Sequence, residues 1–147
     1  MKKLDFFASN PPELTDKLKG KDIFIAGAGG LGSNVAMLLV KAGADRLSII
    51  DFDSIEPANI NRQFYFRDQV GMKKVKALKE NLLRINPDIN IAIADVRMTS
   101  DNSDDVIPVK PDIILECFDG AESKAPHLPH LGLSFSRLNA TRFLARD

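Results

Sequence analysis

The amino-acid sequence predicts an α/β fold: a doubly wound, mainly parallel sheet with helices on both faces. Strand-like and helix-like segments alternate along the chain with short links. The first strand segment, DIFIAG, reads as apolar throughout rather than alternating, as strands covered on both faces do. A glycine-rich turn joins the first strand to the helix that follows it, the local signature of a Rossmann-like unit.

Glu13 to Lys21, ELTDKLKGK, reads as a short helix or turn leading into the strand DIFIAG. Leu31 to Ala42 continues as a helix, with Leu31, Val35, Leu38, Leu39 and Ala42 at helical spacing and Gly43 as its stop. RLSIIDFD is the second strand. SIEPANINRQFYFRDQV has neither period and is expected to be a long loop, functional or disordered. After Gly71 the stretch MKKVKALKENLLRIN reads as a helix, with Val75, Leu78, Leu82 and Ile85 inward and Pro87 ending it. INIAIAD is a third strand, Asp101 to Ile107 a short helix, and DIILECFD a fourth strand that holds Cys117 in its interior. Residues 125–147 depart from this alternation. Every lysine lies at or before Lys124, both histidines follow it, and Pro126 and Pro129 interrupt the helix begun at GAESKA. The expected division is therefore a folded unit over 1–124 and a divergent, truncated or out-of-frame tail over 125–147.

Composition excludes several function classes. A chain of 147 residues, 44% apolar and 27% charged, is one globular domain with a core of its own. Twenty basic and twenty acidic residues cancel, so no overall field recruits nucleic acid or an anionic membrane. Apolar runs fall short of the roughly 20 residues that span a bilayer. The single cysteine allows no internal disulfide and points to a reducing compartment, so a cytoplasmic protein is expected.

Gly27, Gly29 and Gly32 form G-x-G-x-x-G after a strand and at the opening of a helix. Gly27 permits the tight turn, Gly29 lets backbone N–H groups approach a phosphate, and Gly32 lets the helix lie close to the strand. Asp51, at the end of the second strand, is placed to accept hydrogen bonds from ribose hydroxyls. These residues alone serve a nicotinamide or flavin cofactor as well as ATP. The polar string Asn59, Arg62 and Gln63, followed by Lys74, favours a triphosphate. Arg62 offers a planar fork to phosphate oxygens and Lys74 a mobile point charge. Lys73, Lys76 and Lys79 are read as a solvated helix face.

The stretches GAGGLGS, DFDSIEPANINRQ, VGMKKVKALKENLLRINPDI and LECFDGAESKA resemble the ThiF/MoeB/HesA family of ubiquitin-activating-enzyme-like adenylyltransferases, over about Lys19 to Ala125. Within it, the thiamine-branch sulfur carrier adenylyltransferases are the nearest branch. The resemblance implies that residues 1–124 are an ATP-binding adenylation domain. Gly27, Gly29, Gly30 and Gly32 would border the ATP phosphates, and Asp51 and Asp53 would line the nucleotide, with Asp51 on the ribose. Asn59, Arg62 and Gln63 match the family's N-x-x-R-Q string. Lys74 matches its catalytic lysine, Arg62 and Asp119 join it as catalytic residues, and Asp119 would coordinate Mg²⁺. The implied reaction is attack of the C-terminal glycine carboxylate of a ubiquitin-like sulfur carrier protein on the α-phosphorus of ATP, in a homodimer and in thiamine biosynthesis.

The sequence also departs from the family. Many members hold zinc through two C-x-x-C pairs; here there is one cysteine, so no zinc is expected, and Cys117 is read as a core residue. His127 and His130 lack partner cysteines and are not read as a metal site. The first arginine is Arg46, so an N-terminal arginine reaching the partner's site is missing or replaced by Lys17 or Lys19. Gly120 stands where asparagine is usual, and members continue past this length. Two rival readings follow: a non-catalytic nucleotide- or carrier-binding domain, and an NAD- or FAD-dependent oxidoreductase domain.

Overall fold

The computed structural model describes residues 5–107 and 110–118. The expectations for Asp119, Gly120, His127, His130 and the tail 125–147 lie outside this range. The elements run α1 (Pro12–Leu18), β1 (Ile23–Ala26), α2 (Gly30–Ala42), β2 (Arg46–Asp51), α3 (Lys74–Ile85), β3 (Asn90–Asp95), α4 (Ser103–Val106) and β4 (Ile113–Glu116). All described strands pair in parallel, in the order β3-β2-β1-β4.

The central strand β1, Ile-Phe-Ile-Ala, is buried at every position because sheet neighbours flank it and helices cover it. Its side chains alternate between two cores. Ile23 and Ile25 join Leu47, Ile49, Ile91 and Leu115 against α2 and α3. Phe24 and Ala26 join Ile50, Ile114 and Ile107 on the α4 face. The chain winds outward from β1 through β2 to β3, then crosses to the other side of β1. That reversal opens a crevice beyond the carboxyl ends of the strands.

The helix α2 runs to Gly43 as expected, and its most deeply buried positions are small residues and one valine. Gly32, Ser33, Ala36 and Val40 are buried, whereas Leu38 is 59% exposed. Leu31, Val35, Leu39 and Ala42 pack only partly against the core. Small residues bring this helix close to the sheet: a Cβ on Gly32 would stand 1.8 Å from the Gly27 carbonyl oxygen.

The segment between β2 and α3 is ordered, with 3₁₀ turns at Pro57–Asn59 and Arg67–Gln69. Ile55, Tyr65 and Gln69 are buried. Gln69 and Asn81 of α3 exchange amide hydrogen bonds at 2.7 and 3.0 Å, and Asn81 Nδ2 also donates to the Phe64 carbonyl at 2.9 Å. The inner face of α3 carries Val75, Leu78 and Leu82 as expected, together with Ala77 and Asn81.

Two further expectations are corrected. Lys73 is not simply solvated: its Nζ donates to the Phe52 carbonyl at 2.9 Å and pairs with Asp95 at 3.2 Å, because residue 73 is drawn against β2 by an antiparallel bridge to Ser54. Cys117 follows β4 rather than lying inside it; it is buried, and its N–H still donates to the Ala26 carbonyl. No helix among the described residues is long and apolar enough to cross a membrane.

Candidate functional site

The crevice at the carboxyl ends of β1, β2 and β4 holds a cavity of about 140 Å³ that is partly open to solvent. Its floor is the glycine turn. Gly27 adopts φ +107°, and a Cβ there would meet the Cys117 carbonyl oxygen at 2.8 Å, so both backbone conformation and space require glycine. Ala28 has both backbone groups engaged: its N–H donates to Asp51 Oδ2 at 2.7 Å, and its carbonyl accepts from the Tyr65 hydroxyl at 2.6 Å. Gly29 is the N-cap of α2, whose first-turn N–H groups have no partner within the helix.

The turn is also tied to the segment after β2. Ser33 Oγ donates to the Gly29 carbonyl at 2.6 Å and accepts from the Phe64 N–H at 3.0 Å. Asn34 Nδ2 donates to the carbonyls of Gly30 and Arg62, both at 2.7 Å. The elements that would face a phosphate are thus bound to one another before any ligand arrives.

Charge enters from β2 and α3. Asp51 is 7% exposed and accepts the Asp53 N–H at 2.8 Å through its other oxygen. Lys74, the first residue of α3, is 6% exposed and places Nζ 3.2 Å from Asp53 Oδ2. The Lys74 N–H donates to the Asp53 carbonyl at 3.0 Å, so strand end and helix start form one unit. Burial pushes the Tyr65 phenol well above its ordinary range, and the charges of Asp51 and Asp53 add to that effect.

Of the residues singled out by sequence, Gly27, Gly29, Asp51, Asp53, Gln63 and Lys74 line this one crevice. Gln63 is buried, and its Oε1 has no hydrogen-bond partner among the described residues. The others stand elsewhere. Gly32 is packed beneath the turn, and at Gly30 no atom lies within 4 Å of where a Cβ would be. Asn59 Oδ1 accepts the Glu56 N–H at 2.8 Å, serving its own turn. The Arg62 guanidinium is exposed and donates to the Ala58 carbonyl at 2.9 Å and Asn61 Oδ1 at 3.0 Å. Asp119 lies outside the described residues.

Sequence reasoning did not assign to the site the remaining lining residues, Phe52, Arg97, Met98, Phe118 and Cys117, the last of which it read as core. The Arg97 guanidinium lies 5.0 Å from the centre of the Phe52 ring, a cation–π contact at the rim. All five directly follow strand ends. The rule that ligands of open parallel sheets bind outside the carboxyl ends would have pointed to them.

Residues 2–126 match the ThiF family. Ubiquitin-like modifier-activating enzyme 5 of Caenorhabditis elegans is 34% identical over 119 residues, covering 74% of this chain and 28% of its own length. The fold is similar to that of E. coli tRNA N6-threonylcarbamoyladenosine dehydratase, TcdA, in complex with ATP, with a TM-score of 0.70 and 28% identity over 74% of this chain and 45% of that one. It is also similar to E. coli MccB with AMPCPP and selenomethionine MccA, with a TM-score of 0.65 and 32% identity over 70% of this chain and 30% of that one. The chain therefore spans less than half the length of each of these proteins.

Proposed function

This chain belongs to the ThiF family, and from that premise we propose that it forms the nucleotide site of an ATP-dependent adenylyltransferase. The reaction joins a carrier's C-terminal carboxylate to AMP and releases pyrophosphate. The observation that carries the reading is the convergence of the glycine turn, Asp51 and Lys74 on one crevice. The ATP and AMPCPP complexes of proteins with this fold support it.

The carboxylate nucleophile is already ionised at neutral pH, so no side chain need act as a base. One carboxylate oxygen bonds to the α-phosphorus, and the bond from that phosphorus to the bridging oxygen breaks. Catalysis then consists of positioning and charge stabilisation. Gly29 and the start of α2 present N–H groups to the phosphates. Lys74, nearly buried and steadied by Asp53, meets charge developing at phosphorus where solvent screens it little. Asp51 holds the ribose with lone pairs its backbone bonds leave over, and Phe52 and Arg97 form the wall on which the base rests. Arg62 contributes after its exposed side chain swings away from the Ala58 carbonyl. Magnesium, when bound, neutralises charge on the phosphate oxygens. Its protein ligand in this reading is Asp119; among the described residues no group of three or more histidine, cysteine or acidic side chains could hold a metal ion.

The partner in this proposal is a ubiquitin-like sulfur carrier, in a homodimer acting in thiamine biosynthesis. The relatives' names differ on this point: one specifies a ubiquitin-like modifier, one a tRNA nucleoside, and one is seen with MccA. The test is ATP–pyrophosphate exchange with Mg²⁺ and either a sulfur carrier or tRNA. Carrier-dependent exchange, lost at least a hundredfold in Lys74→Ala, is the expected result. ATP binding without exchange would favour the non-catalytic reading. Binding of NADH with no binding of ATP would refute the proposal.

A further inference from the structure

Tyr65 stands in the segment that follows the N-x-x-R-Q string, and the nucleotide reading leaves its hydroxyl without a task. It is 4% exposed and donates to the Ala28 carbonyl at 2.6 Å, in the middle of the glycine turn. Ala28 is fully buried, so no water can replace this donor. The Ala28 carbonyl and the Gly29 N–H belong to one peptide unit. No peptide bond among the described residues is cis, and a planar trans unit points its C=O and N–H in opposite directions. A carbonyl held on Tyr65 therefore turns the Gly29 N–H away from Tyr65, and Gly29 lines the crevice. The other flank of Ala28 is fixed as well, by its N–H on Asp51.

We propose that Tyr65 is a positioning residue that aims the Gly29 N–H at a phosphate of the bound nucleotide. The proposal rests on the nucleotide reading above. Without the hydroxyl the buried carbonyl has no donor, and the peptide unit gains freedom to rotate toward solvent, taking its N–H away from the phosphate. The effect is confined to ligands that carry phosphate, because the base and ribose contact other residues. The phenol's ionisation lies far above neutral pH, so it remains a donor across the working range.

The test is Tyr65→Phe in the full chain, with affinities for ATP, inorganic tripolyphosphate and adenosine measured by NMR titration. ATP and tripolyphosphate are expected to weaken roughly tenfold, the worth of one directed hydrogen bond, with adenosine changed by less than about twofold. Equal weakening of ATP and adenosine, or no change in either, would overturn the proposal. Failure of the unaltered protein to bind ATP or tripolyphosphate would instead sink the nucleotide reading, and this proposal with it. A second measurement needs no variant: the Gly29 amide resonance of the unaltered protein should move with tripolyphosphate and stay in place with adenosine. A Gly29 resonance unmoved by bound tripolyphosphate would also overturn it.

Discussion

Replacing Gly32 or Gly30 by alanine should change stability in opposite directions, although both lie in the first turn of α2. In an unobstructed helix, glycine to alanine gains up to about 1 kcal/mol through helix propensity. At Gly32 the new Cβ would stand 1.8 Å from the Gly27 carbonyl oxygen, 2.7 Å from its carbon and 3.2 Å from the Cys117 Cβ. Comfortable contact begins near ~3.5 Å, so helix and turn must separate by over an ångström. The obstructing atoms are backbone and cannot rotate aside. Overpacking of this kind costs about 1–3 kcal/mol, and a backbone clash belongs at the upper end. Subtracting the propensity gain leaves a net loss of roughly 2 kcal/mol, or about 4–8 °C in a chain of this size. At Gly30 nothing lies within 4 Å, so the propensity gain survives, up to about 1 kcal/mol. Urea and thermal denaturation followed by circular dichroism measure both. Gly32→Ala as stable as the parent protein would refute the close packing of α2 on the turn.

The buried amide pair offers a second check. Asn81→Ala removes the bonds to Gln69 and the Phe64 carbonyl and should cost about 2–4 kcal/mol, with part regained in an Asn81→Leu variant that refills the space; an added Gln69→Leu removes the stranded amide but also the acceptor of the Phe66 N–H. Chemical denaturation of the three proteins reads this directly, and a single variant as stable as the parent would contradict the pairing. A third check uses the only tyrosine in a chain without tryptophan. The folded state raises the Tyr65 phenol far above its unfolded value near ~10, so above that pH the unfolded chain binds fewer protons than the folded one. The contribution is fully present below about pH 10, and stability then falls with rising pH by up to about 1.4 kcal/mol per unit. Tyr65→Phe should lack this part of the slope. Phenolate absorbance should appear only as the fold is lost; ionisation near pH 10 in a chain with native circular dichroism would show that the phenol is not buried.

Much of the fold was legible because its elements are local statements. The strand IFIA is apolar at every position, and the run ending at Gly43 is stopped by a residue that adopts φ +107°. The close approach of α2 to the sheet was less legible, since periodicity weights large side chains, whereas the deepest contacts of this helix are made by Gly32, Ser33 and Ala36. Lys73 and Lys74 show a related limit. They are neighbours in sequence and alike in type, yet one caps α3 and reaches outward to Asp95, while the other begins the helix and turns into the crevice toward Asp53. The distinction comes from the bridge that lays residue 73 against Ser54, a pairing no local pattern announces.

The segment from Arg62 to Tyr65 shows why motif reading finds a site but not its construction. The sequence assigns function there to side chains, as a fork and an amide for phosphates. In the structure the same residues act mainly through the backbone and through a neighbour. The Arg62 carbonyl accepts from Asn34, the Phe64 N–H donates to Ser33, and the Tyr65 hydroxyl holds Ala28. Each contact spans 28 to 37 residues of chain. They exist only because the parallel crossover returns the segment after β2 to the start of α2. A backbone carbonyl is the same chemical group in every residue, so sequence cannot mark which one will be used. Under the nucleotide reading the glycine spacing announces a phosphate floor, and the segment that carries the N-x-x-R-Q string would set the orientation of that floor through its backbone and Tyr65. Substitutions at Ser33, Asn34 and Tyr65 should consequently act on phosphate binding as a coupled set, with double variants losing less than the sum of the singles.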